Sequence, residues 1–245
     1  MLPNLRIWLD HFEYHSGRPR RLRAGIANLL TCDERRLIAR SIATFQPAER
    51  SAGSHLLRAA YRFAQQHDAG AVARIVELLI REQQQHAMLL RAFMAEHGIP
   101  GRRDDWTDAI FRRVRKLGGL ELHLATLLSA ELIGTVYYRA LERATGCQRL
   151  RLLCRMLVAD ELAHVGFESD LLLALRAGNA APVRTAIGLS HRAFFMGAAL
   201  VVWSTHRAVL RRAGYGMITF LGACRAQYSF YLRPPHFSAS TASAP

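Results

Sequence analysis

The chain has 245 residues and is 51% hydrophobic, enough to bury a core and too apolar for a disordered polymer. Its four cysteines, Cys32, Cys147, Cys154 and Cys224, are scattered without CxxC spacing, which argues against a disulfide framework or a zinc ribbon. The formal charge of +14 rests almost wholly on arginine, with Lys116 the single lysine among 33 basic residues, a ratio that reads as codon usage. A basic but ordinary surface is therefore favoured over a polyanion partner, although nucleic acid stays open as the less favoured one.

The opening MLPNLRIWLDHF lacks a basic segment followed by an apolar one, so no secretory signal is expected. Residues 1–32, with RPRRLR at 18–23, read as an irregular arm. A long helical period follows over 33–67, entered through Thr31 or Asp33 as N-cap and kinked or opened into a wide turn at Pro47. A second helix is predicted over 69–97, stopped by Gly98 and Pro100. The basic connector GRRDDWTDAIFRRVRK comes next, with room for a short helix. Helices are then predicted over 119–144, 147–177, 182–213 and 215–232, and residues 233–245 read as a disordered tail.

Strand signals are nearly absent, so the fold class is all-α. Four long helices with a long connection between the second and third imply a four-helix bundle with a crossover over 33–177. Two further helices over 178–232 would pack on it. The longest apolar stretch, Ala193–Trp203, is about half of the ~20 residues a bilayer span needs, so the expectation is a soluble cytoplasmic protein without a membrane partner.

Polar residues interrupt the apolar stripes in a regular way. Ile38, Ile42, Phe45 and Glu49 share one helix face; Val76, Leu79, Gln83, His86 and Leu90 share another. Leu124, Leu128, Glu131 and Tyr138 form a third face, and Leu153, Leu157, Glu161, His164, Glu168 and Leu171 a fourth. Several carboxylates on inward faces need compensating positive charge, and divalent metal ions supply it. Glu161 and His164 stand i,i+3, side by side on one face, and carboxylates with imidazole suit iron or manganese.

This constellation resembles the ferritin-like di-iron carboxylate superfamily, which places one Glu on each of two helices and a Glu-x-x-His on each of the other two. The resemblance covers roughly residues 33–177. It implies that Glu49 and Glu131 are the single-Glu ligands and that Glu161 with His164 is one Glu-x-x-His. It further implies that Asp160 orients a ligand histidine from behind. The other pair departs from the pattern, since Gln83, not Glu, precedes His86 by three. Glu82, at i−4 from His86, could substitute for it. A Gln ligand, a shifted Glu82 ligand and a site with one weak metal position all stay open. The implied cofactor is two iron ions, or iron and manganese, with unequal occupancy because Gln83 removes one carboxylate.

The implied function is an O2-dependent oxidase or oxygenase acting on a small or medium organic substrate with an external electron donor. A metal-poor bundle kept as a binding or structural protein, a tRNA-modifying hydroxylase and a ferroxidase are the alternatives. Glu168 is expected as a proton relay or an exposed acid rather than an extra ligand, and Tyr138 as a core or redox residue. His123, His191 and His206 are read as packing or surface residues. The apolar C-terminal helices would either roof a substrate pocket or bury a homodimer interface.

Overall fold

The structure is a computed structural model that describes residues 2–16, 29–50, 53–101 and 118–232, with the side chains of 47–50 left out. The expected connector helix (102–117), the RPRRLR run and the C-terminal tail lie outside the described residues, as does the side chain of Glu49. The described chain is all helical: α1 (Leu5–Ser16), α2 (Cys32–Arg50), α3 (Gly53–His67), α4 (Gly70–Glu96), α5 (Leu120–Ala144), α6 (Gln148–Ala177), α7 (Ala181–Arg212) and α8 (Met217–Tyr231).

The N-terminal arm differs from expectation. Leu5, Trp8, Leu9 and Phe12 recur at helical spacing, and α1 lays that stripe against α4. Trp8 also reaches α6, where its indole donates to Asp170 Oδ2 at 3.1 Å and its ring meets Phe167 edge-on. A Cβ on Gly166 would lie 2.5 Å from the Trp8 ring, so only glycine lets α1 approach this closely.

The segment expected to kink or open at Pro47 is two helices, α2 and α3, and α2 runs past the proline to Arg50. The start of α2 is a capping box: the Thr31 hydroxyl accepts from the Glu34 N–H at 3.2 Å, and Glu34 Oε2 accepts from the Thr31 N–H at 2.9 Å. The second Glu34 oxygen accepts from the Gly146 amide and the Thr145 hydroxyl, pinning α2 to the three-residue turn between α5 and α6. Burial would raise the Glu34 carboxyl, but these donors outweigh it and hold it below the usual range.

Helices α5 and α6 form the largest pairing of the fold, and the short turn makes them antiparallel. α4 packs against α1, α2, α3 and α6, while α5 also meets α3, α7 and α8. Helix α5 is buried on nearly every side, as its run LATLLSAELIGTVYY requires. Helix α7 is long and apolar enough to cross a membrane by length and composition, with a mean hydropathy of 1.4 and 22% of that window buried. One such helix is weak evidence for a membrane span, and α7 is seated on α5 through His191, Phe195 and Ala199. It leaves helical geometry at His206 (φ −108°, ψ 15°), whose Nδ1 lies 2.8 Å from the Ser41 hydroxyl of α2.

Candidate metal centre

Every polar residue read as inward-facing on α4, α5 and α6 is buried, and these residues meet at one level of the fold. One ligand atom from each of Glu131, Glu161 and His164 lies within 4.8 Å of the others. From α4, Gln83 turns its amide into the same space. Its Nε2 donates to Glu131 Oε1 at 2.7 Å and stands 3.5 Å from Glu161 Oε1 and 3.4 Å from His164 Nδ1. His86 Nδ1 lies 3.2 Å from Glu161 Oε1.

Two braces cross between the helices. His86 of α4 presents its outer nitrogen Nε2 to Asp160 of α6 at 3.2 Å. His164 of α6 presents Nε2 to Glu82 of α4 at 2.8 Å. Each imidazole thus aims Nδ1 at the cluster and is held from behind by a carboxylate of the opposite helix. Glu82 occupies on His164 the place that Asp160 occupies on His86. It does not lie among the three clustered ligand atoms.

The electrostatics follow from burial and proximity. Burial and the Glu161 charge push the Glu131 carboxyl up. Burial would push Glu161 up as well, but the neighbouring His164 and His86 imidazoles reverse that and hold it low. For His164, burial favours the neutral ring, yet Glu131, Glu161 and Glu82 together raise its pKa well above the ordinary value. Glu168 is wholly buried, so the exposed-acid reading fails. Burial and the Glu131 charge raise its carboxyl well above the usual range, and a neutral acid beside Glu131 can share a proton with it.

The residues present fit a cation. Glu131 Oε2 and Glu161 Oε2 are buried with no N–H donor, and the buried Glu168 carboxyl has no partner but the proton it shares with Glu131. Oxygen and imidazole donors of this kind bind divalent iron, manganese or zinc. A cavity of about 50 Å³ adjoins the cluster, walled by Phe45, Gln83, Leu127, Ala130, Glu131 and Tyr138. Phe12 of α1 stacks on the His164 ring at 5.7 Å, and both rings are wholly buried.

Sequence reasoning missed two polar networks. Ser41 Oγ joins Tyr137 and His206, each at 2.8 Å, under a stacked Phe45–Tyr137 pair. Arg176, His191, Ser129 and Glu121 form the other, toward the far end of α6. The available signal was the placement of His191, Ser129 and Arg176 among apolar neighbours at helical spacing. Compared with family models, curated proteins and solved structures, the chain matches none.

Proposed function

We propose that the chain is a metal-dependent oxidoreductase of the ferritin-like di-iron carboxylate type, using O2 to oxidise an organic substrate. One observation carries the reading. Two buried carboxylates, Glu131 and Glu161, keep Oε2 atoms with no N–H within hydrogen-bond distance, beside two imidazoles that are braced from behind. A buried acceptor left unsatisfied costs about 1–3 kcal/mol, and a bound cation removes that cost.

Glu131, Glu161 and His164 would hold one iron ion. His86 and the Gln83 carbonyl oxygen, after rotation of the amide, would hold a weaker second site that shares the carboxylates. When bound, the ions supply the electron chemistry with O2. Glu82 and Asp160 keep a proton on the outer nitrogen of each ring, so that a lone pair on Nδ1 faces the cluster. Glu168 holds a proton next to Glu131 and is the group placed to pass it on. Phe12 and Phe45 exclude water. The cavity walled by Tyr138 admits a diatomic gas or a water or two, so a larger substrate must displace the Phe45 ring.

The test is anaerobic Fe(II) loading of the full chain with elemental analysis and Mössbauer spectroscopy, followed by O2 uptake with a chemical reductant. Two ions of unequal affinity, lost in Glu131→Ala and Glu161→Ala, are expected. No iron uptake at all rejects the reading.

A second reading rests on the 2.7 Å bond from Gln83 to Glu131. That amide satisfies one carboxylate oxygen without metal, as a bundle retained for binding or architecture would need. Uptake that appears only in Gln83→Glu would favour it.

A further inference from the structure

A cavity of about 850 Å³ lies away from the metal cluster, between α3, α5, α6 and α7. That is within the range of small-molecule sites. Arg176 on its wall stands eight residues past Glu168, about 12 Å along α6. Phe63, Leu122, Leu175, Ile187 and Phe194 give the cavity apolar sides.

Two features mark one end of it as a place for an anion, beside Glu121, which lines the same wall from the first turn of α5. The first is Arg176, whose residue is 93% buried by its 7% exposure. Its Nε donates to Glu121 at 2.9 Å and its Nη1 to His191 Nδ1 at 3.2 Å. Among the described residues no hydrogen bond engages Nη2. The His191 ring is held by the Ala125 carbonyl at 3.1 Å and the Ser129 hydroxyl at 3.0 Å. Burial and the Arg176 charge keep it neutral, so it accepts from the guanidinium and fixes its plane. The second feature is the start of α5. Gly119 and Leu120 line the cavity, and this 25-residue helix begins at Gly119 with no side-chain cap. Its first N–H groups and its dipole favour an anion there.

We propose that this cavity binds a small amphipathic carboxylic acid. The carboxylate meets Arg176 Nη2 and the first turn of α5, while the aliphatic or aromatic body lies along Leu175, Ile187 and Phe194. Glu121, which also lines the cavity, is engaged by Nε and leaves Nη2 to the ligand. The proposal does not depend on metal at the Glu131 cluster.

Isothermal titration of the full chain with octanoate and with octan-1-ol separates head from tail. Saturable one-to-one binding of octanoate is expected, at least tenfold tighter than octanol. Ala186 lines the cavity from an exposed position on α7 outside the Arg176 network, so Ala186→Trp should fill the site and abolish binding with an unchanged melting temperature. Arg176→Gln should bring octanoate down to the octanol level. Equal affinity for acid and alcohol in the wild type overturns the proposal. So does the lack of saturable binding, or octanoate binding unchanged in Ala186→Trp.

Discussion

Helices α4 and α6 bring nearly the same apparatus to the cluster from opposite sides. Each carries an outer carboxylate, an inner oxygen-bearing side chain and a histidine: Glu82, Gln83 and His86 on one, Asp160, Glu161 and His164 on the other. Each outer carboxylate braces the histidine of the opposite helix. The difference is one functional group, the Gln83 amide against the Glu161 carboxylate. Glu161 draws both imidazoles toward itself, at 3.2 Å from His86 and 3.6 Å from His164. Gln83 instead donates to the carboxylates. The α6 half is thus the charged half and the α4 half the adaptable one.

The comparison breaks most sharply at Glu161. Glu161→Ala should lower Fe(II) affinity more than 100-fold, whereas Gln83→Ala should lower it several-fold at most. Metal content after equilibrium dialysis measures both. Equal losses would mean that the two halves contribute alike. Without metal, Glu161→Ala also leaves His164 short of a compensating carboxylate, and removing one partner of a buried pair costs about 3–5 kcal/mol. Chemical denaturation of the metal-free variant reads that loss.

The braces come next in size. Partners that orient ligand histidines tune metal affinity by about 10–100-fold. Asp160→Asn should fall in that range, and Glu82→Gln at its lower end, since Glu82 is partly exposed and so partly replaceable by water. If Glu82→Gln instead removed one ion entirely while sparing the other, Glu82 would be a ligand. The mirror relation between the helices would then fail.

Why the two halves could be only partly read beforehand is a matter of geometry. Glu131 was legible because it interrupts the most apolar run of the chain, where an isolated acid is untenable. Glu161 and His164 were legible from i,i+3 spacing between leucines. Glu82 and Gln83 were not separable, because adjacent helical positions differ by only about 100° and both can lie near an inward face. What sets them apart in the structure is the approach of His164 from α6, 82 residues away in sequence. The same holds for the Ser41–His206 pair, 165 residues apart. Helix α1 is a different case. Its Leu5–Trp8–Leu9–Phe12 stripe was visible, but the basic run at 18–23 set the boundary of the arm too late to count it.

A milder change sharpens the comparison by making the halves alike. Gln83→Glu should raise affinity for the second ion about tenfold by restoring a carboxylate. In the metal-free protein the same substitution sets a third carboxylate against Glu131 and Glu161, so the melting temperature should drop. Opposite signs with and without metal are the expected signature. A substitution that stabilises both states would mean that Gln83 does not face the site that metal occupies.

The smallest expected effect is a pH trend, and its sign follows from His164. The folded-state pKa of this ring is raised above the ordinary 6.5 by Glu131, Glu161 and Glu82, which outweigh burial. Below the unfolded value both states carry the proton, and the stabilisation is fully present. As pH rises from about 6.5 through the folded value, the native state holds more protons than the unfolded state, so stability declines. Glu131 and Glu168, also raised, act in the same direction. The melting temperature of chelator-treated protein should therefore fall between pH 6.5 and 9, with a weaker fall in His164→Gln. Metal demands the neutral ring, so Fe(II) binding should release protons and strengthen over the same interval. The loaded protein should then lose the downward trend or reverse it. A metal-free melting temperature that rises across this range would place the proton elsewhere, and the α6 half would not be the charged one.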